Sequence, residues 1–114
     1  MVRRLLDDRV DDLAMCEPIA MEILAGAGSD TAYSRLERLV NGLPSLKVDD
    51  ALDFRSAAKI YRAARSTGQT IRSITDCLIA AVAIRHDATL MHRDGDFEVI
   101  GQVTTLAARR ADSQ

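Results

Sequence analysis

The sequence contains no tryptophan, only two cysteines and two prolines, and aromatic residues make up just 4% of it. Two cysteines argue against a small secreted domain held together by disulfides. Cys16 and Cys77 both lie in apolar runs, so we interpret them as buried free thiols in a reducing compartment. No apolar run approaches the roughly 18 residues of a membrane-spanning helix, and the N-terminus lacks the apolar core of a signal peptide. We therefore expect a cytoplasmic protein that does not contact membranes.

Hydrophobic residues make up 47% and charged residues 28% of the 114-residue chain, which is typical of one globular domain over residues 1–114. The net charge is −2, whereas general nucleic-acid coat proteins are basic throughout. Any RNA contact must therefore be local. Arginine supplies 13 of the 15 basic residues, and its planar fork suits phosphate contacts, although an arginine-rich genome explains that bias equally well.

Short apolar runs alternate with helical patterns along the chain. Strands are predicted at residues 13–16, 46–48, 88–91 and 103–106. Helices are predicted from Pro18 to Ala25, from Asp30 or Thr31 to Asn41, from Asp49 or Asp50 to Ser66, and from Thr75 to Ile84, with a helical turn at 97–100 and a frayed tail at 109–114. Residues 2–10 resemble the end of a helix. This alternation predicts an α/β fold with a mainly parallel sheet flanked by helices.

Four acidic side chains fall where the carboxyl ends of these strands are expected. Glu22 lies on the helix after the first strand, Asp76 lies in the first turn of a helix that is apolar on every side, and Asp94 and Asp96 follow the strand at 88–91. Ligands bind at such strand ends in open parallel sheets. Taken singly, Asp76 is better explained as a helix cap, Asp94 as part of a turn, and Glu22 as a solvated residue.

Clustered carboxylates repel one another unless a cation lies among them. Oxygen ligands without a histidine or cysteine cluster favour Mg²⁺ or Mn²⁺, and such a metal suits phosphodiester hydrolysis. His86 and His92 are too isolated for a zinc site. Asp94-Gly95-Asp96 is no calcium loop, because its glycine stands at the second position instead of the sixth.

Three segments resemble PIN-domain ribonucleases, in particular VapC-like toxins: EPIAMEILAG at 17–26, SITDCLIAAVAI at 73–84 and ATLMHRDGDFEVI at 88–100. The resemblance implies a PIN-like three-layer fold and an endoribonuclease that uses Mg²⁺ or Mn²⁺. It places the family's acids on Glu22, Asp76 and Asp94, with Asp96 as an accessory metal ligand. Glu17 fits the glutamate position less well. The resemblance also implies a VapB-like antitoxin as partner, and a homodimer.

The chain departs from the family at its N-terminus. Family members open with an apolar strand that ends in an aspartate, and nothing before Arg3 supplies one. Asp7 and Asp8 lie in a helix-like context and do not replace it. The expectation is an N-terminally truncated PIN domain that lacks its first strand. The alternative to an active toxin is therefore a non-catalytic PIN module that binds an antitoxin or another PIN subunit without cleaving RNA.

Basic residues offer two candidate RNA contacts. Arg72 and Arg93 lie close in sequence to the predicted acids, where each could bind a phosphate or pair with a carboxylate. Four further cations share one face of the long helix: Arg55, Lys59, Arg62 and Arg65. They could guide an RNA backbone, or form only a solvated face opposite the stripe of Ala58, Ile60, Tyr61 and Ala64.

Overall fold

The chain folds into five helices and five short strands within the part that the computed structural model describes, residues 2–3, 13–92 and 95–110. In chain order the elements are β1 (Val2–Arg3), β2 (Met15–Cys16), α1 (Glu17–Ala25), α2 (Asp30–Asn41), β3 (Ser45–Leu46), α3 (Asp53–Ser66), α4 (Ile74–Arg85), β4 (Thr89–His92), α5 (Gly95–Val103) and β5 (Ala108–Arg110). The alternation of strands and helices confirms the predicted α/β class.

The strands form two small groups. β4 lies at the centre of three strands, with β5 parallel on one side and β1 antiparallel on the other, while β2 and β3 form a parallel pair. The predicted parallel pairing is therefore confirmed for β2–β3 and β4–β5. β1 ends at Arg3, so it does not supply the aspartate-terminated first strand that the resemblance implies. The absence of that strand stays a prediction.

Helix α4 forms the centre of the core. Seven of its twelve residues are buried, and Cys77, Ala80 and Val82 are fully inaccessible to solvent. Small side chains on every face allow α3, α5 and α1 to pack closely against it. The sequence prediction of a helix buried on more than one face is confirmed.

The amino end of α3 is fixed by two aspartates. The Asp49 carboxylate accepts the N–H groups of Ala51 and Leu52 at 2.9 and 3.1 Å, and the Asp53 carboxylate accepts the N–H of Asp49 at 2.8 Å. These reciprocal bonds satisfy donors that a helix start otherwise leaves unpaired. Of the two predicted caps, Asp49 is the one that acts, although the regular helix begins at Asp53.

Several predicted boundaries are wrong. Val2–Arg3 is a strand where a helix was predicted, and residues 4–12 lie outside the described part of the chain. Ser29 caps α2 in place of Asp30 or Thr31, because its side chain accepts the N–H of Ala32 at 3.0 Å. Thr75 lies inside α4, which begins after Ser73. Several neighbouring polar residues can cap a helix, so the sequence pattern alone does not fix which of them does.

The C-terminal elements also differ from the prediction. The expected turn at 97–100 is a full helix, α5, which extends through residues 101–103. The last strand is Ala108–Arg110 and not 103–106, so part of the expected frayed tail pairs with β4. Leu106 is buried without being in a strand. Its apolar run was therefore a sign of core packing and not of strand pairing.

An ion pair that local sequence patterns missed joins α3 to α4. Asp53 is only 1% exposed, and its two oxygens accept hydrogen bonds from Arg85 Nε and Nη2 at 2.9 and 2.8 Å. Arg85 also donates to the carbonyl of Lys47. Burial alone would raise the pKa of Asp53, but the hydrogen bonds and charge of Arg85, with the Asp49 N–H, hold it below its ordinary value.

We predict that Asp53→Ala lowers the free energy of unfolding by about 2–3 kcal/mol, because it leaves the Arg85 guanidinium partly buried without its carboxylate. Arg85 keeps 31% of its side chain exposed, which moderates the loss. Urea denaturation measures the effect. Asp50→Ala, at an exposed neighbouring aspartate, is the matched control and should change stability by less than about 0.5 kcal/mol.

The same pair makes stability depend on pH in acid. Because the folded-state pKa of Asp53 is depressed, its contribution is present above its ordinary pKa of 3.8 and is lost as the pH falls through the lower folded value. Wild type should therefore lose more stability than Asp53→Ala on acidification below about pH 4. Parallel curves for the two proteins would contradict this assignment.

Candidate active site

Asp76 lies in the first turn of α4 and is 5% exposed. Its backbone N–H donates to the carbonyl of Ser73 at 3.1 Å, while the Ser73 side chain makes no capping hydrogen bond. The amino end of a helix favours a negative charge. The fold therefore places a carboxylate, buried yet electrostatically favoured, where the sequence predicted an acidic ligand.

Asp96 occupies the second position of α5 and is 3% exposed. Its Oδ1 accepts the N–H of Arg72 at 3.0 Å, and its Oδ2 accepts the N–H of Ser73 at 3.0 Å. The Arg72 side chain, itself 76% exposed, brings Nε to 3.7 Å from Oδ1. Both carboxylate oxygens therefore hold the backbone that leads into α4.

Ser73 links the two acids through its backbone. It donates its N–H to Asp96 and accepts the N–H of Asp76 through its carbonyl. The amino ends of α4 and α5 are thereby fixed to each other. This geometry makes Asp96 a positioning residue for Asp76; its predicted role as an accessory metal ligand stays a prediction.

The pKa of the Cys77 thiol is affected by the two neighbouring acids. Burial, and then the charges of Asp76 and Asp96, raise its pKa to about 11. At neutral pH this thiol is therefore protonated and unreactive. Cys16 is likewise buried, with its pKa raised chiefly by burial. The prediction that Cys16 and Cys77 are buried, free cysteines is confirmed.

The other predicted acids are placed less completely. Glu22 lies on α1, which packs against α4, and its side chain is exposed. Glu17, the weaker candidate, is the exposed first residue of the same helix. Asp94 and Arg93 lie outside the described residues. The structure therefore brings Asp76 and Asp96 together at the amino end of α4. That Glu22 and Asp94 lie close to these two acids stays a prediction.

His92 and Phe97 flank the segment that carries Asp94. His92 is the buried last residue of β4, and its ring lies 5.4 Å from that of Phe97 on α5, tilted by 50°. This aromatic contact holds the end of β4 beside the start of α5. The sequence suggested a hydrogen-bonding histidine at the strand end; its buried ring contact was not predicted.

The described donors are carboxylates, which suit a hard divalent cation such as Mg²⁺ or Mn²⁺. Within residues 13–92 and 95–110 no group of three or more histidine, cysteine, aspartate or glutamate side chains is arranged to hold a metal ion. Asp76 and Asp96 fit such an ion in chemistry, because carboxylate oxygens are ligands that it prefers.

A family model of the PIN domain matches residues 1–103. The chain belongs to the PIN domain family. Within it, the chain is 66% identical over 107 residues to VapC ribonuclease Mb1587 of Mycobacterium bovis and to ribonuclease VapC11 of Mycobacterium tuberculosis. Each match covers 94% of this chain and 80% of the relative. The predicted VapC-like PIN domain is thereby confirmed.

Solved structures show the same PIN fold. FitAB bound to an IR36 DNA fragment matches with a TM-score of 0.69 and 23% identity, covering 90% of this chain and 75% of that one. VapBC-5 of Mycobacterium tuberculosis, a member of the VapBC family of toxin–antitoxin systems, matches with a TM-score of 0.60 and 20% identity, covering 85% and 79%. At these identities the likeness establishes the fold alone.

We predict that Asp96→Asn loosens the entry to α4 of this PIN domain in the absence of any metal. The amide places an NH₂ group against one of the two N–H donors and removes the charge that strengthens both bonds. Hydrogen exchange at the Arg72 and Ser73 amides should accelerate on the order of tenfold.

Glu98→Gln is the matched control for that substitution. Glu98 lies on the same helix, is exposed, and pairs with Arg110 at 2.7 Å. This variant should leave exchange at Arg72 and Ser73 unchanged, because the exposed pair contributes little to stability. Unaltered exchange in Asp96→Asn as well would show that the carboxylate does not hold this backbone.

Proposed function

We propose that this PIN domain is a ribonuclease toxin that hydrolyses RNA phosphodiester bonds with Mg²⁺ or Mn²⁺, under the control of a VapB-like antitoxin. The observation that carries the proposal is the close match to curated VapC ribonucleases along nearly the whole chain. The geometry supports it with a buried Asp76 carboxylate at a helix amino end, positioned by Asp96. Glu22 and Asp94 would complete the ligands.

Each acid has a distinct task in this mechanism. The amino end of α4 favours a negative charge at Asp76, whose carboxylate could bind a cation. Asp96 holds that helix end in place through Ser73. The exposed Arg72 guanidinium lies beside Asp96, where it could donate hydrogen bonds to a substrate phosphate. A bound divalent cation would supply charge stabilisation at the phosphate and lower the pKa of water.

Exposed apolar side chains support the proposal of a protein partner. Met21, Phe54 and Ile74 are each more than half exposed, at 58%, 54% and 59%. A recess of about 710 Å³ is lined by Met21 and Phe54 together with Val48 and Leu78, and is rimmed by Glu17 and Asp50. Such surfaces mark interaction sites. We infer that an antitoxin or a second copy covers them.

The described helices include none long and apolar enough to cross a membrane. We propose that the protein acts in the cytoplasm, where a ribonuclease meets its RNA substrate.

We predict that Asp76→Asn lowers affinity for Mn²⁺ at least tenfold and reduces RNA cleavage by roughly 10³-fold or more, because it removes a charged ligand. Calorimetry with Mn²⁺ and cleavage of labelled RNA measure the two effects. Asp30→Asn is the control, since Asp30 also lies in the first turn of a helix but is exposed on α2. It should leave both unchanged.

The same labelled RNA distinguishes the active ribonuclease from the alternative, a non-catalytic PIN module. Wild-type protein with Mg²⁺ should cleave it, and a chelator should stop the reaction. Cleavage that persists in Asp76→Asn would refute the proposed site. No cleavage by wild-type protein, together with stable binding of a VapB-like antitoxin, would favour the module instead.

A further inference from the structure

We propose that the carboxyl end of α3 carries a phosphate-binding patch, formed by Arg62, Arg65 and Ser66, that guides RNA toward the acidic site. The proposal rests on the ribonuclease function proposed above and names the surface that binds the substrate. Sequence spacing alone left this end of the basic face as either an RNA contact or a solvated surface. The structure favours the first reading for its carboxyl half.

The position of the patch follows from the direction of the two helices. Asp53 in the first turn of α3 pairs with Arg85 in the last turn of α4, so these packed helices run antiparallel. The last turn of α3 therefore lies at the same end of the pair as the first turn of α4, where Asp76 lies. Arg55 and Lys59 fall farther from that end.

The two arginines of the patch are available to a ligand. Both are exposed and, with Ser66, line a recess of about 380 Å³. No ion pair joins either guanidinium to a carboxylate of a described residue. The Arg65 guanidinium lies 5.9 Å from the centre of the Tyr61 ring, a contact that orients its donors without neutralising its charge.

The acidic site creates the need for such a patch. The chain carries a net charge of −2, and the buried carboxylates of Asp76 and Asp96 repel a polyanion. Local arginines can offset this repulsion by bidentate phosphate contacts. Arg72, exposed beside Asp96, lies between the patch and the acids along the chain. Arg62 and Arg65 at the carboxyl end of α3, and Arg72 just before α4, thus place three cations on the chain segment that leads to Asp76.

The test is the double variant Arg62→Gln/Arg65→Gln, compared with Arg35→Gln/Arg38→Gln. Arg35 and Arg38 are exposed on α2 with the same spacing, so both variants lose two positive charges. In cleavage assays with a fluorescein-labelled single-stranded RNA, the patch variant should raise KM roughly tenfold with kcat unchanged. In RNA binding, the slope of log Kd against log salt concentration should be smaller for the patch variant by about 1.4, or ~0.7 for each phosphate that the protein no longer neutralises.

Binding is measured with the same RNA in the Asp76→Asn background, so that no cleavage occurs. The control variant Arg35→Gln/Arg38→Gln should have the same KM as wild-type protein. In the Asp76→Asn background it should also show the same salt dependence of RNA binding as Asp76→Asn alone. Equal losses in both double variants would show only a general effect of net charge and overturn the patch. Cleavage and binding unaffected by either would also overturn it while leaving the ribonuclease function intact. If wild-type protein neither binds nor cleaves the RNA, both proposals fail.

Discussion

The burial of α4 on more than one face is the constraint on which the rest of the structure depends. Residues 77–84 of this helix carry no charged side chain, whereas both of its ends do. At the amino end, Asp76 is accompanied by Asp96, which holds the preceding backbone. At the carboxyl end, Arg85 pairs with Asp53. The apolar middle fixes the core, and the polar ends fix its neighbours and supply the candidate site.

The two charged ends do different work. The Asp53–Arg85 pair is closed, because each carboxylate oxygen meets a guanidinium nitrogen and Asp53 is almost fully buried. It sets the antiparallel packing of α3 and α4. At the other end, Asp96 binds backbone N–H groups, and the long Arg72 side chain remains mostly exposed. Both ends thus hold the packing of α4, the first through an ion pair between side chains and the second through hydrogen bonds to the backbone.

Periodicity predicted the order of the elements and the burial of α4, since both follow from the spacing of apolar residues. It did not rank Ser29 above Asp30 as a cap, because several polar residues at a helix start satisfy the same rule. It also missed Asp53, although this residue begins the buried stripe of Ala57, Ile60 and Ala64. The partner that permits its burial lies on another helix, beyond the reach of local patterns.

The candidate acidic site also depends on contacts that local sequence patterns do not predict. Residue type and position identified Asp76 and Asp96, but not that both oxygens of Asp96 accept backbone N–H groups. Similarly, Leu39 on α2 is 55% exposed, because an apolar residue in a helical pattern does not show what covers it. An ordered carboxylate and an uncovered face both depend on surroundings that the local sequence does not contain. Both features become visible only when elements distant in sequence are brought together by the fold.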